Sequence, residues 1–198
     1  MEPLHGQHTA DDSVSVRLTI RTPDRMRELG RALAGLLLPG DLVLLSGELG
    51  AGKTTLTRGL GEGLGVRGAV TSPTFVIARV HPSLSGGPAL VHVDAYRLAG
   101  GLDEMEDLDL DVSLPESVVV VEWGEGKVEE LSEARLQVVI SRTLGAAGPY
   151  DTTGTDPDAD PDVKADPDAA SDADDVREVT VTGIGRRWVN QDLSPLRA

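Results

Sequence analysis

The chain has 198 residues, no cysteine and a net charge of −15. That length suits one domain with a single packed core. The missing cysteines exclude a disulfide framework and any Cys-based zinc site, and no apolar run approaches the roughly 20 residues that span a bilayer.

The N-terminus, 1–12, is polar, lacks the apolar core of a secretory signal and reads as a flexible lead-in, so the expected compartment is the cytoplasm. Val14, Val16, Leu18 and Ile20 alternate with polar residues as in a half-buried strand. Thr22-Pro23-Asp24 is a helix start, with Thr as N-cap and Pro at the first helical position. Met26, Leu29, Leu33 and Leu36 form its apolar stripe, and Pro39-Gly40 closes it. Leu42-Val43-Leu44-Leu45 is a buried-strand run. It leads into Gly47-Glu48-Leu49-Gly50-Ala51-Gly52-Lys53-Thr54, the pattern G-x-x-x-x-G-K-[ST], which chance supplies only about 0.01 times in a chain this long.

Each fixed position of that phosphate-binding loop has a mechanical reason. The glycines let backbone N–H groups turn inward around phosphate oxygens, Lys53 brings charge to the β/γ-phosphates, and the Thr54 hydroxyl offers a Mg²⁺ ligand. Residues 55–64 follow as a helix with Leu56, Leu60 and Leu64 on one stripe. The loop thus sits between a strand and a helix N-terminus, where N–H groups and dipole favour an anion. It is read as binding a nucleoside triphosphate. Gly59, Gly61 and Gly63 each cost that helix up to ~1 kcal/mol relative to Ala; close packing of helix on sheet is the compensation considered.

Further strands are expected at 75–80, 89–93 and 118–121, with one helix and a loop across the acidic segment 102–115. Spans 136–142 and 177–183 read as a closing antiparallel pair. The alternation predicts an α/β protein of P-loop NTPase fold: a mainly parallel mixed sheet flanked by helices, with antiparallel edge strands. The single domain is expected over 13–144 plus 176–187, with 188–198 as a C-terminal tail. Residues 145–175 repeat Asp-Pro-Asp and offer little to bury, so they read as a disordered acidic insertion in the last hairpin. Residues 150–175 carry ten Asp and one Lys. No basic face is evident, and tight unaided binding to RNA or DNA is not expected.

A P-loop enzyme needs a second metal-side carboxylate, usually at the C-terminal end of a neighbouring apolar strand. Two positions qualify, Asp94 after 89–93 and Glu122 after 118–121, and the residues alone leave the choice open. The five aromatics are Phe75, Tyr96, Trp123, Tyr150 and Trp188, and the first three adjoin candidate site segments. Thr74 is a candidate sensor of the γ-phosphate. His92 has no second His at ligand spacing and reads as a hydrogen-bonded residue inside the sheet. The guanine-reading motif Asn-Lys-x-Asp is absent, Asn190 being the only Asn, so ATP is favoured over GTP. Asp151-Thr152-Thr153-Gly154 formally matches a D-x-x-G element but falls in the low-complexity insertion and is set aside.

Taken together, Gly47 to Thr55, Ser72-Pro73-Thr74-Phe75, His92-Val93-Asp94-Ala95-Tyr96-Arg97 and Glu122-Trp123 resemble, in order and spacing, the bacterial TsaE (YjeE) family. The likeness covers residues 14–142 and the last strand. It implies a small ATPase of slow turnover serving tRNA threonylcarbamoyladenosine biosynthesis. Its implied partners are TsaD and TsaB, the transferase subunits that modify adenosine 37 of tRNAs reading ANN codons, with tRNA reached only through them. The resemblance implies ATP and Mg²⁺ as cofactors, Gly50, Ala51, Gly52, Lys53, Thr54 and Thr55 around the phosphates, and Thr54 and Glu122 as Mg²⁺ ligands. Lys53, Asp94 and Glu122 would be the catalytic set, with Asp94 positioning water or metal. Trp123 would lie beside the nucleotide, and the corner at Thr22 would approach the adenine. Alone, the chain is expected to be a monomer or weak oligomer with no membrane contact. The insertion and the segment after Arg186 depart from the family pattern.

Two other functions compete. A small-molecule kinase would use the same loop but needs an acceptor pocket and lid arginines, for which only Arg79 and Arg97 are near. A non-hydrolytic assembly factor would use ATP to order the 71–74 loop for docking.

Overall fold

The computed structural model describes residues 13–73, 77–97, 114–126, 132–143 and 176–197. Strand β1, Ser13–Ile20, buries Val16, Leu18 and Ile20 on one face. Helix α1, Pro23–Ala34, starts where the sequence places it: the Thr22 side chain accepts the Arg25 N–H at 3.2 Å, and Pro23 needs no N–H partner. Its end comes before Pro39-Gly40, because Gly35 caps it and Leu36 and Leu37 close onto Leu33 and Ala34 by i→i−3 bonds. Met26, Leu29 and Leu33 are buried, and Leu36 packs against the same core.

Strand β2, Leu42–Gly47, and helix α2, Lys53–Leu64, bracket the glycine loop. α2 begins two residues earlier than its apolar stripe predicts, since Gly52 serves as N-cap in a left-handed conformation. Strands β3, Ala78–His81, β4, Ala89–Asp94, β5, Ser117–Glu122, β6, Arg135–Thr143, and β7, Val176–Ile184, complete a seven-stranded sheet of order β1-β7-β6-β2-β5-β4-β3. β6, β2, β5 and β4 run parallel. Antiparallel pairing occupies both edges, β7 and β1 on one side and β3 on the other.

β3 starts later than the predicted 75–80. Ile77 has φ 64, a left-handed backbone that breaks extension, and its N–H bonds to Pro73 O at 2.7 Å. Residues 74–76, and with them Thr74 and Phe75, lie outside the described residues. So do 1–12, the insertion 145–175 and most of the helix-and-loop span 102–115, whose end enters a 3₁₀ turn at Leu114–Glu116.

Val118 and Val120 join one core and Val119 and Val121 a second, so β5 is buried on both faces, as parallel strands usually are. α1 and α2 cover the larger core side by side. A Cβ on Gly59 would lie 2.1 Å from Arg27 O, and one on Gly63 would lie 2.5 Å from the Ala34 Cβ, so these glycines let helix meet helix. Gly61 alone faces inward, against Val70, Val66 and Leu90. Residues 188–197, set apart in the sequence as a tail, pack into the same core through Trp188, Leu193 and Leu196. Arg187 secures them, donating to Leu36 O at 2.7 Å and Asp41 Oδ2 at 3.1 Å.

Candidate active site

The C-terminal ends of β2, β4 and β5 converge on the N-terminus of α2. Gly52 has φ 110 and ψ 15, an arrangement an L side chain resists, and this turn aims the start of α2 at the loop. The helix bond from Leu56 N to Gly52 O, 2.9 Å, is the first in α2. The N–H groups of Lys53, Thr54 and Thr55 therefore have no acceptor within the helix and face the loop's concave side. Arg177, from β7, donates its Nε to Ala51 O at 2.9 Å and braces the loop from behind.

Lys53 is buried. Its Nζ donates to Gly47 O at 2.7 Å and Glu48 O at 2.9 Å and sits 3.7 Å from the centroid of the Trp123 ring. Burial pulls its pKa below the usual range, and the Glu122 and Asp94 carboxylates oppose that shift. Trp123 holds φ 63, a strained backbone for a bulky residue of the kind that collects at functional sites. Its ring also meets Tyr96, centroid to centroid 5.4 Å.

Asp94 and Glu122 are register partners across the β4–β5 ladder and both are buried. Their neighbours separate them. Glu122 accepts from Thr54 Oγ1 at 3.2 and 3.4 Å through its two oxygens, and lies 2.8 Å from His92 Nε2. Asp94 accepts from the Tyr96 N–H at 3.1 Å and from Ser72 Oγ at 3.4 Å. Of the two carboxylates, Glu122 and not Asp94 meets the loop hydroxyl.

A cleft of about 310 Å³ gathers Gly50, Gly52, Lys53, Thr54 and Thr55 on one side and Asp94, Glu122 and Trp123 on the other. Leu49 and Ser72, which belong to the sequence motifs but were given no role in them, also line it. Ala51 is fully buried behind the loop, and Thr22 lies outside the cleft as the cap of α1, whose Met26 Cε would be 3.4 Å from a Cβ on Gly52. A second cavity, about 280 Å³, opens between α1, α2 and the 66–71 loop. Glu62, its only carboxylate among the described residues, is paired with Arg27 and Arg31, so the described acid–base groups belong to the first cleft.

Among the described residues no three His, Cys, Asp or Glu cluster to hold a metal by themselves. The convergence of the Thr54 hydroxyl and the Glu122 carboxylate nonetheless suits Mg²⁺, which takes one or two protein oxygens and completes its shell with phosphate and water. Three features had no signal in the sequence: the Lys53–Trp123 contact, the His92–Glu122 bond and the Arg177 brace. Each joins residues far apart in the chain.

A family model described as "Threonylcarbamoyl adenosine biosynthesis protein TsaE" matches residues 20–146. The chain is 68% identical over 171 residues to the tRNA threonylcarbamoyladenosine biosynthesis protein TsaE of Streptomyces coelicolor, covering 86% of this chain and 99% of that protein. It is 35% identical over 167 residues to the protein of that name from Bacillus subtilis, with 84% of each covered. Its fold is similar to the crystal structure of Bacillus subtilis YdiB, with TM-score 0.58 and 30% identity across 89% of this chain and 90% of that one. The family model spans the glycine loop and both carboxylate-bearing strands, and the Streptomyces relative overlaps almost from end to end; on these grounds the chain belongs to the TsaE family.

Proposed function

We propose that this protein binds ATP with Mg²⁺ and hydrolyses it, slowly and under partner stimulation, as the ATPase of bacterial tRNA threonylcarbamoyladenosine modification. The observation that carries the reading is the meeting of Thr54 and Glu122, 3.2 Å apart, at the mouth of the phosphate-binding loop. The N–H groups from Gly50 to Thr55 cradle the phosphates, and Lys53 places its charge at the β/γ end. Thr54 and Glu122 are the residues that hold Mg²⁺, which when bound neutralises charge on the transferring phosphoryl group. Asp94, fixed by the Tyr96 N–H and Ser72, orients the attacking water. Trp123 flanks the nucleotide. The Thr22 corner approaches the adenine through its backbone, while its side-chain oxygen accepts the Arg25 N–H.

The partners in this reading are TsaD and TsaB, and tRNA is contacted through them. The protein works in the cytoplasm, as a monomer or weak oligomer when alone. Among the described residues no helix is long and apolar enough to cross a membrane.

Phosphate release measured with and without TsaD–TsaB tests the proposal. Low, Mg²⁺-dependent release that rises on adding both partners is expected. Phosphate appearing on an added metabolite would instead identify a kinase, and tight ATP binding without turnover under any condition would identify an assembly factor.

A further inference from the structure

His92 occupies an unusual position for an imidazole. Leu90, Val118 and Val120, on the same face of β4 and β5, are apolar core residues, and His92 stands among them with no exposure to solvent. Its Nδ1 is buried without a hydrogen-bond partner. A ring nitrogen left bare in such a place costs free energy that Val or Leu would avoid, so packing alone does not explain the residue. Its one hydrogen bond does: Nε2 lies 2.8 Å from Glu122 Oε1. Because a carboxylate only accepts, the tautomer in place carries its proton on Nε2.

We propose that His92 is a positioning residue: by donating Nε2–H to Glu122 Oε1 it fixes that carboxylate against Thr54 Oγ1, so that the two oxygen ligands face Mg²⁺ already aligned. The inference rests on the assignment of Thr54 and Glu122 to the metal. Glu122 reaches the cleft from the end of β5, and a carboxylate free to turn about its last torsion would meet Mg²⁺ in many orientations. With His92 bonded to one oxygen and Thr54 touching both, a single orientation remains. Partners of this kind behind a metal ligand typically govern affinity by about 10–100-fold.

The test is calorimetric titration of ATP into the full chain, first in EDTA and then across a Mg²⁺ series, for the parent, His92→Leu and His92→Gln. Leu removes the donor, whereas the Gln amide nitrogen reaches where Nε2 stood. His92→Leu should raise the Mg²⁺ concentration for half-maximal enhancement by about 10–100-fold, leave ATP affinity in EDTA unchanged, and be rescued by His92→Gln. If Leu at 92 does not fold, as judged by circular dichroism, His92→Asn carries the same test, since its shorter amide stops short of Glu122. A parental Mg²⁺ response in the Leu or Asn variant overturns the inference, as does equal damage in Leu and Gln variants, which would mark a packing role. A parent protein whose ATP binding ignores Mg²⁺ would overturn the metal assignment itself, and the inference with it.

Discussion

Two parts of α2 carry glycine for opposite reasons. At the N-terminus, Gly52 adopts φ 110 where a Cβ would make only ordinary contacts, the nearest Met26 Cε at 3.4 Å. Two turns along, Gly59 has no unusual backbone, yet a Cβ there would lie 2.1 Å from Arg27 O. The first position needs a conformation and the second needs room. One end of the helix is shaped for an anion and its flank for α1, so the cost of glycine in a helix is offset in two different ways. The two glycines lie seven positions apart in the chain and look alike as letters.

This contrast breaks most readily at the flank. Gly59→Ala forces α1 and α2 apart, an overpacking that costs about 1–3 kcal/mol, or roughly 2–12 °C in Tm for a chain of this size. ATP affinity of the folded fraction should stay parental; a thermal melt and a calorimetric titration read both. Gly52→Ala should show the reverse weighting. Holding an L residue in a left-handed backbone costs about 1–2 kcal/mol, and relief would turn N–H groups away from the phosphates. ATP affinity should fall by about 5–30-fold, with a smaller change in Tm than Gly59→Ala gives. If both variants lose stability and binding in the same proportion, the distinction between conformation and room fails. The smallest effect is expected at the start of α1. Thr22→Ala removes an N-cap worth about 1 kcal/mol, lowering Tm by roughly 2–4 °C with ATP affinity unchanged; a lost affinity would mean that the hydroxyl reaches the nucleotide.

Local signals were read well and distant ones were not. Thr22 and Pro23 announce α1 because cap and first-turn chemistry lie within three residues of one another. The loop from Gly47 to Thr54 announces itself because its spacing is tied to phosphate geometry. Asp94 and Glu122 were found because an apolar run ending in a carboxylate places it at the sheet's C-terminal edge. Which of the two meets Thr54 was not legible, since that depends on strand order: β5 lies next to β2 and β4 lies one strand further out. The helix–helix role of Gly59 and Gly63 was misplaced onto the sheet, because composition does not say which neighbour a glycine face meets. Trp188 looked like part of a tail because one aromatic amid polar residues has no period to reveal its burial. The left-handed backbone at Ile77, which shortens β3, runs against the preference of a β-branched residue, and its carbonyl accepts the N–H of the distant Asp94 at 2.8 Å.

The division of labour inside the cleft is the central claim: the loop and Lys53 hold the nucleotide, while Glu122, set against Thr54, serves the metal. Glu122→Gln tests it most directly, because the amide keeps the size of the side chain and removes its charge. Phosphate release with Mg²⁺ and TsaD–TsaB should fall on the order of 100-fold, while ATP affinity in EDTA remains parental. Turnover left intact in this variant would contradict the assignment and transfer the metal-side role to Asp94.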